Sequence, residues 1–225
     1  MDSNRFGITS RPVILLVQLF GVTACILLFY WVLHYRGGLA FHDVNKQRIF
    51  NLHPLFMFVG FIFVASQGIL SYKIVPVKKD RQKLVHLTLL GLAIILGAIG
   101  IYAVFKFHNE SHIKNLYSLH SWLGISAISL FGLQWVVGFI AFLYPGASKN
   151  RRERILPWHL FFGLFLYAMA IAAAETGILE KLTFEENSKM PLDQFSSEAI
   201  LVNSTAIIIL IFAMLVVLST ILPRG

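Results

Sequence analysis

Four histidines stand near the starts of long apolar runs: His53, His86, His120 and His159. Ionisable side chains at membrane depth are rare and usually functional. One such histidine could simply bond a neighbouring helix. Four in a regular arrangement ask for more. Successive membrane helices run in opposite directions, so His53 and His120 fall toward one face and His86 and His159 toward the other. Counting along the chain thus gives two pairs, each drawn from two parallel helices. Imidazole is a good ligand for iron, zinc and copper. Two imidazoles from facing helices can fill both axial positions of a haem, and an iron without an open position favours electron transfer over oxygen chemistry. The single cysteine, Cys25, leaves no route to an intramolecular disulfide or a thiolate metal site.

The elements that must carry these histidines are legible from composition. Of 225 residues 57% are hydrophobic and 13% charged, and the mean hydropathy is +0.73. A soluble domain carries about a quarter charged residues. Six runs are long and apolar enough to cross a bilayer, at about 12–34, 52–72, 84–106, 119–143, 156–178 and 199–222. The expected fold is an all-α bundle of six transmembrane helices in one domain, because helices satisfy their own backbone in lipid. The first run is longer than a signal-peptide core and no small-residue cleavage site follows it, so it reads as a retained helix. Pro12, Pro54 and Pro157 are expected in first turns. The longest connection is expected at about 179–198.

Charge sets the expected orientation. With the N-terminus in the cytoplasm, 12 of the 19 Lys and Arg fall on the cytoplasmic side, with net charges of +9 inside and −1 outside. Both termini are then cytoplasmic. The formal net charge of +8 follows from this asymmetry, and no nucleic-acid partner is expected. Small residues recur beside the histidines: Gly60, Gly68, Gly91, Gly97, Gly100, Gly124, Gly132, Gly138 and Gly163. Alone they suit ordinary helix packing; with paired histidines they suit a flat macrocycle. Residues 86 to 106 of a helix cover roughly 30 Å, so two metals each about one turn inside a surface would lie on the order of 20 Å apart.

Several segments, in order along nearly the whole chain, resemble the cytochrome b561 family and its plant members in particular. They are His34-Tyr35-Arg36-Gly37-Gly38, Phe50-Asn51-Leu52-His53-Pro54, Lys83-Leu84-Val85-His86, Asn115 to Gly124 (Asn-Leu-Tyr-Ser-Leu-His-Ser-Trp-Leu-Gly), Pro157-Trp158-His159 and Gly177 to Leu182. The resemblance implies two haem b groups, His53 with His120 and His86 with His159 as axial ligands to the haem iron. It implies a haem-binding core of helices two to five, helices one and six outside it, and a homodimer. It further implies oxidation of cytoplasmic ascorbate and reduction of monodehydroascorbate or a ferric chelate across the membrane, in the vacuolar membrane or, next, the plasma membrane or another endomembrane.

Ascorbate is an anion, so its cytoplasmic site needs positive charge. The basic positions that the resemblance assigns to it are Lys83, one turn before His86, with Lys79 a further turn back and Arg152 seven residues before His159. Positive-inside topology by itself also demands basic residues there. Ser71-Tyr72-Lys73 departs from the Tyr-Arg pattern of some animal members and leaves Lys73 without a clear role. On the opposite face the resemblance assigns the acceptor to Phe107, His108 and Tyr117. Lys83 and His108 are the expected catalytic pair, because ascorbate oxidation releases a proton and imidazole exchanges protons near neutral pH. Asn109-Glu110-Ser111 is a glycosylation sequon on the outer side; Asn203-Ser204-Thr205 lies in a helix. The rival reading is a proton or metal-ion transporter using the histidines as relay or ligands. The histidines lie near the two surfaces and no acid stands at the midplane, which weighs against it.

Overall fold

Uninterrupted apolar runs flanked by charge give continuous helices here. The computed structural model describes residues 9–188 and 190–224. It contains six helices long and apolar enough to span a bilayer: α1 Ser10–Tyr35, α2 Gln47–Ile74, α3 Lys79–Glu110, α4 Leu119–Phe142, α5 Lys149–Glu186 and α6 Ser197–Ile221. The protein is an integral multi-pass membrane protein. Asp2, Arg5 and Lys189, which enter the charge count, lie outside the described residues.

Helices α2 to α5 form a closed ring of neighbours: α2 on α3, α3 on α4, α4 on α5, and α5 back on the middle of α2. α1 and α6 pack against each other outside this ring, with α6 leaning on α5 and α2. Close approach explains part of the tight packing. A Cβ added to Gly21 of α1 would lie 2.7 Å from the rings of Phe63 and Phe212. The four-helix core with two outer helices therefore matches the expected arrangement.

The helices overrun the apolar runs at several ends. Hydropathy marks the part in lipid, whereas backbone hydrogen bonding continues into the interface wherever no breaker stops it. α3 begins at Lys79, so Lys79 and Lys83 stand on consecutive turns of one helix with His86. α5 runs to Glu186, which shortens the expected 179–198 connection to 187–196. Pro54 is the eighth residue of α2 and not in its first turn, and Pro157 is the ninth residue of the Lys149–Glu186 helix. Its missing donor costs one backbone bond in a helix that neighbours on both sides support.

α2 is irregular in a way that matters for His53. Short α-helical turns at Gln47–Phe50 and Leu52–Leu55 give way to a wider π-helical stretch, Phe56–Phe63, before the α-helix resumes at Val64–Ile74. Pro54 removes one backbone donor at this entry. Asn51 sits fully buried at the junction. Its Nδ2 donates to the Arg36 carbonyl at 2.9 Å and the Gly38 carbonyl at 2.7 Å. Gly37 and Gly38 both have positive φ, 73° and 94°, which turns the chain so that these carbonyls converge on Asn51. Nearby Asp43 accepts from the Asn45 N–H at 2.8 Å and from Arg48 at 3.0 Å, and these donors hold its carboxyl below the ordinary range.

Lys73 has a structural task. Its Nζ donates to the carbonyls of Ser219, Thr220 and Leu222, the last with N···O at 2.6 Å. It thereby satisfies carbonyls that the end of α6 leaves without helical partners.

Candidate functional site: two facing pairs of histidines

Each predicted pair meets across the ring of four helices. The imidazoles of His53 (α2) and His120 (α4) have centroids 5.9 Å apart at an interplanar angle of 81°. Those of His86 (α3) and His159 (α5) are 6.3 Å apart at 64°. Two imidazoles that each bond one metal through a ring nitrogen at about 2 Å place their centroids about 6 Å apart. Both separations fit an ion held between the rings.

The second ring nitrogens are also committed. His53 Nδ1 faces the Gly100 carbonyl at 3.0 Å, His86 Nδ1 the Gly68 carbonyl at 2.8 Å, and His120 Nδ1 the Ala173 carbonyl at 2.7 Å. A carbonyl only accepts, so each of these rings carries its proton on Nδ1 and offers Nε2 as the free base. That is the tautomer a metal-ligating histidine needs. The Nδ1 of His159 faces the side-chain amide of Gln134 at 3.1 Å.

Space for a macrocycle is clearest at the His53–His120 pair, called outer here for the face on which the charge count expects it, as the His86–His159 pair is called inner. His53 and His120 line a mostly apolar cavity of about 840 Å³, in the range of sites for large cofactors. Gly124, one turn after His120, lines the same cavity, and a Cβ there would meet no atom within 4 Å. Gly177 does the opposite. A Cβ on it would lie 2.6 Å from His120 Cε1, so only glycine lets α5 back this ring. Gly60 and Gly68 serve helix packing instead, against Leu96 and Leu90. The donor set, the ring separations and the cavity all fit haem. Among the described residues no three His, Cys, Asp or Glu side chains converge in one group.

The expected acceptor residues come together in the mouth of the outer cavity. Phe107, His108 and Tyr117 all line it. Phe107 packs edge-on against Phe50 at 5.2 Å, and Tyr117 is 85% exposed, at the surface of the opening. His108 Nδ1 donates to Asn115 Oδ1 at 3.1 Å, and Asn115 Nδ2 donates onward to Asn109 Oδ1 at 2.9 Å. The side chain of the sequon asparagine is thus engaged in holding His108.

At the opposite end Lys79, Lys83 and Arg152 stand at the starts of α3 and α5, the two helices that carry His86 and His159. Among the described residues the ion-pair neighbour of Lys83 is the exposed Asp80, at 3.7 Å, a pairing of little energy in water. Tyr72 lies 5.4 Å from His86, and Phe142 5.1 Å from His159.

Some residues of the outer site escape a reading by residue type. Lys114, Ser118, Glu180 and Lys181 also line the outer cavity. Ser118 Oγ donates to Glu180 Oε2 at 2.8 Å, and Lys181 lies 4.8 Å over the ring of Phe50. The segments carrying Ser118, Glu180 and Lys181 are among those that resemble the family, but nothing in the sequence says that they share one cavity. Glu175, in the fifth span two residues beyond Ala173, does not line this cavity; its Oε1 is buried without a hydrogen-bond partner among the described residues. The remaining histidines take no part: His34 stacks on Tyr30 at 4.9 Å, and His42 and His112 lie in connections.

Comparison with known proteins agrees with this geometry. A sequence model described as eukaryotic cytochrome b561 matches residues 52–185, which contain all four paired histidines. A probable ascorbate-specific transmembrane electron transporter of Oryza sativa is 49% identical over 96% of this chain and 92% of its own length. A transmembrane ascorbate ferrireductase of Arabidopsis thaliana is 50% identical over 94% of this chain and 88% of its own. A lysosomal membrane ascorbate-dependent ferrireductase of Homo sapiens is 37% identical over 96% and 88%.

Proposed function

Because the chain belongs to the eukaryotic cytochrome b561 family, we propose that it is an ascorbate-dependent transmembrane oxidoreductase that takes electrons from ascorbate in the cytoplasm and delivers them to an acceptor on the opposite face. The acceptor is monodehydroascorbate or a ferric chelate. The single observation that carries this reading is the pair of facing imidazole couples, 5.9 and 6.3 Å between centroids, one toward each end of a four-helix ring.

His53 with His120, and His86 with His159, would hold one haem b each, and these groups would supply one-electron redox chemistry when bound. The chain's own part is binding, orientation and exclusion of water. Lys83, with Lys79 and Arg152, attracts and orients the ascorbate anion beside the inner pair. Each ascorbate monoanion gives one electron to the protein, releases one proton to cytoplasmic water and leaves as the monodehydroascorbate radical. At the outer mouth Phe107 and Tyr117 flank the acceptor, and His108, held through Nδ1 by Asn115, keeps Nε2 free to exchange a proton. Both termini are cytoplasmic, the working form is a homodimer, and the vacuolar membrane is its place.

The decisive experiment is an absorption spectrum of the purified protein before and after ascorbate, with a haem-to-chain ratio. Two b-type haems per chain, reduced by ascorbate, support the relay. A folded, colourless protein from haem-replete cells sinks it and favours a proton or metal-ion transporter, for which proton or metal flux in vesicles becomes the next measurement.

A further inference from the structure

Three of the four paired histidines have a main-chain carbonyl on Nδ1; His159 has a side chain. The Gln134 amide of α4 lies 3.1 Å from His159 Nδ1 and 2.8 Å from the His159 carbonyl oxygen. Both contacts are made by Gln134 Nε2, whose two hydrogens can serve the carbonyl oxygen and an unprotonated Nδ1 together; a His159 that ligates through its own Nε2, with its proton on Nδ1, breaks that agreement. The carbonyl oxygen needs the NH₂ end of the amide, which donates. A protonated Nδ1 needs the oxygen end, which accepts. With the NH₂ end against Nδ1, the ring proton moves to Nε2, and Nε2 is then no free base for a metal. With the oxygen end there, Nε2 is free. Gly163, one turn beyond His159, lies beside this amide: a Cβ there would meet Gln134 Nε2 at 3.8 Å.

We propose that Gln134 is a positioning residue for the inner haem: the orientation of its amide selects the tautomer of His159 and so sets how strongly that ligand donates to iron. A stronger acceptor on Nδ1–H makes the imidazole a stronger donor and stabilises the ferric state, lowering the potential. A lost acceptor raises it. The other three ligands cannot be adjusted in this way by any side-chain replacement, because their partner is backbone. The inference rests on the proposed assignment of His86 and His159 as haem ligands.

The test uses the full-length, haem-loaded protein with Gln134→Glu and Gln134→Leu. Potentiometric titrations followed in the visible spectrum, and ferric low-spin spin resonance, report each haem separately. Gln134→Glu is expected to lower the potential of one haem and Gln134→Leu to raise that of the same haem, with the other unmoved. The haem that shifts is the one lost in His159→Leu. Loss of that haem from the Leu variant alone, with a lowered potential in the Glu variant, also supports the proposal. Unchanged potentials, equal shifts of both haems, shifts of one sign in both variants, or loss of the inner haem from both overturn it. If His159→Leu retains both haems, the ligand assignment itself fails; if it loses one and the Gln134 variants are inert, only this inference fails.

Discussion

The outer and inner histidine pairs are built from the same parts and held differently. At the outer pair both Nδ1 groups donate to main-chain carbonyls, of Gly100 and Ala173, and the rings stand at 81°. A buried asparagine fixes the entry of α2, and a glycine on α5 leaves no slack behind His120. At the inner pair one ring leans on a carbonyl and the other on a side-chain amide, at 64°. Backbone partners move only if helices move, whereas a side-chain partner can turn in place. The outer site is rigidly framed beneath a vestibule, and the inner site keeps one adjustable contact. The lesson is that equal pairs of imidazoles need not give equal sites, because the partners behind the rings decide how fixed they are.

Removing one ligand from each pair separates the two sites most strongly. His120→Leu and His159→Leu should each lower the haem content to about one per chain and abolish transmembrane electron flow, measured by pyridine haemochrome and by vesicle assays with ascorbate inside. Retention of both haems in either variant breaks the pairing. Next comes Gly177→Ala. Its Cβ would lie 2.6 Å from His120, against 3.0 Å from His159 for Gly138→Ala. The first should lose or distort the outer haem alone. The second should perturb only the inner one, and less, which visible spectra of each variant can decide.

Asn51→Ala should act on the outer side and on stability together. It leaves two carbonyls without their donor at a fully buried position, a cost of about 1–3 kcal/mol. A lower Tm in detergent with a disturbed outer haem and an intact inner haem is expected. Lys83→Ala should raise the KM for ascorbate about tenfold or less at low salt, with both haems retained and the difference shrinking as salt rises. Equal effects at the two faces would contradict a cytoplasmic site there. Smallest is Lys73→Met. It should cost about 1 kcal/mol of stability through the uncapped end of α6, with ascorbate kinetics unchanged.

Much of the arrangement was readable before any coordinates. Apolar length identified six helices, and alternation of direction paired His53 with His120 and His86 with His159. Those inferences rest on one-dimensional quantities that the bilayer enforces: thickness, and the side on which a residue sits. Helix ends were less legible. Hydropathy did not register that α5 continues to Glu186, or that Pro157 lies well within it, because a backbone can stay helical after its side chains become polar. Lys73 showed the limit of reading by residue type. The sequence left this lysine without a clear role, and the structure uses it to close another helix.

The sequence by itself determined the class of molecule, the number of spans and which four histidines face each other in two pairs, since each follows from local composition and from counting along the chain. Only the tertiary structure decided which carbonyl each imidazole meets, that Asn51 ties the first connection to the second helix, that Gly177 backs His120, and that His159 answers to an amide on another helix. Such contacts depend on the rotation of each helix about its axis and its register against its neighbours. Both are set by the summed packing of many side chains, and no single segment of sequence contains them.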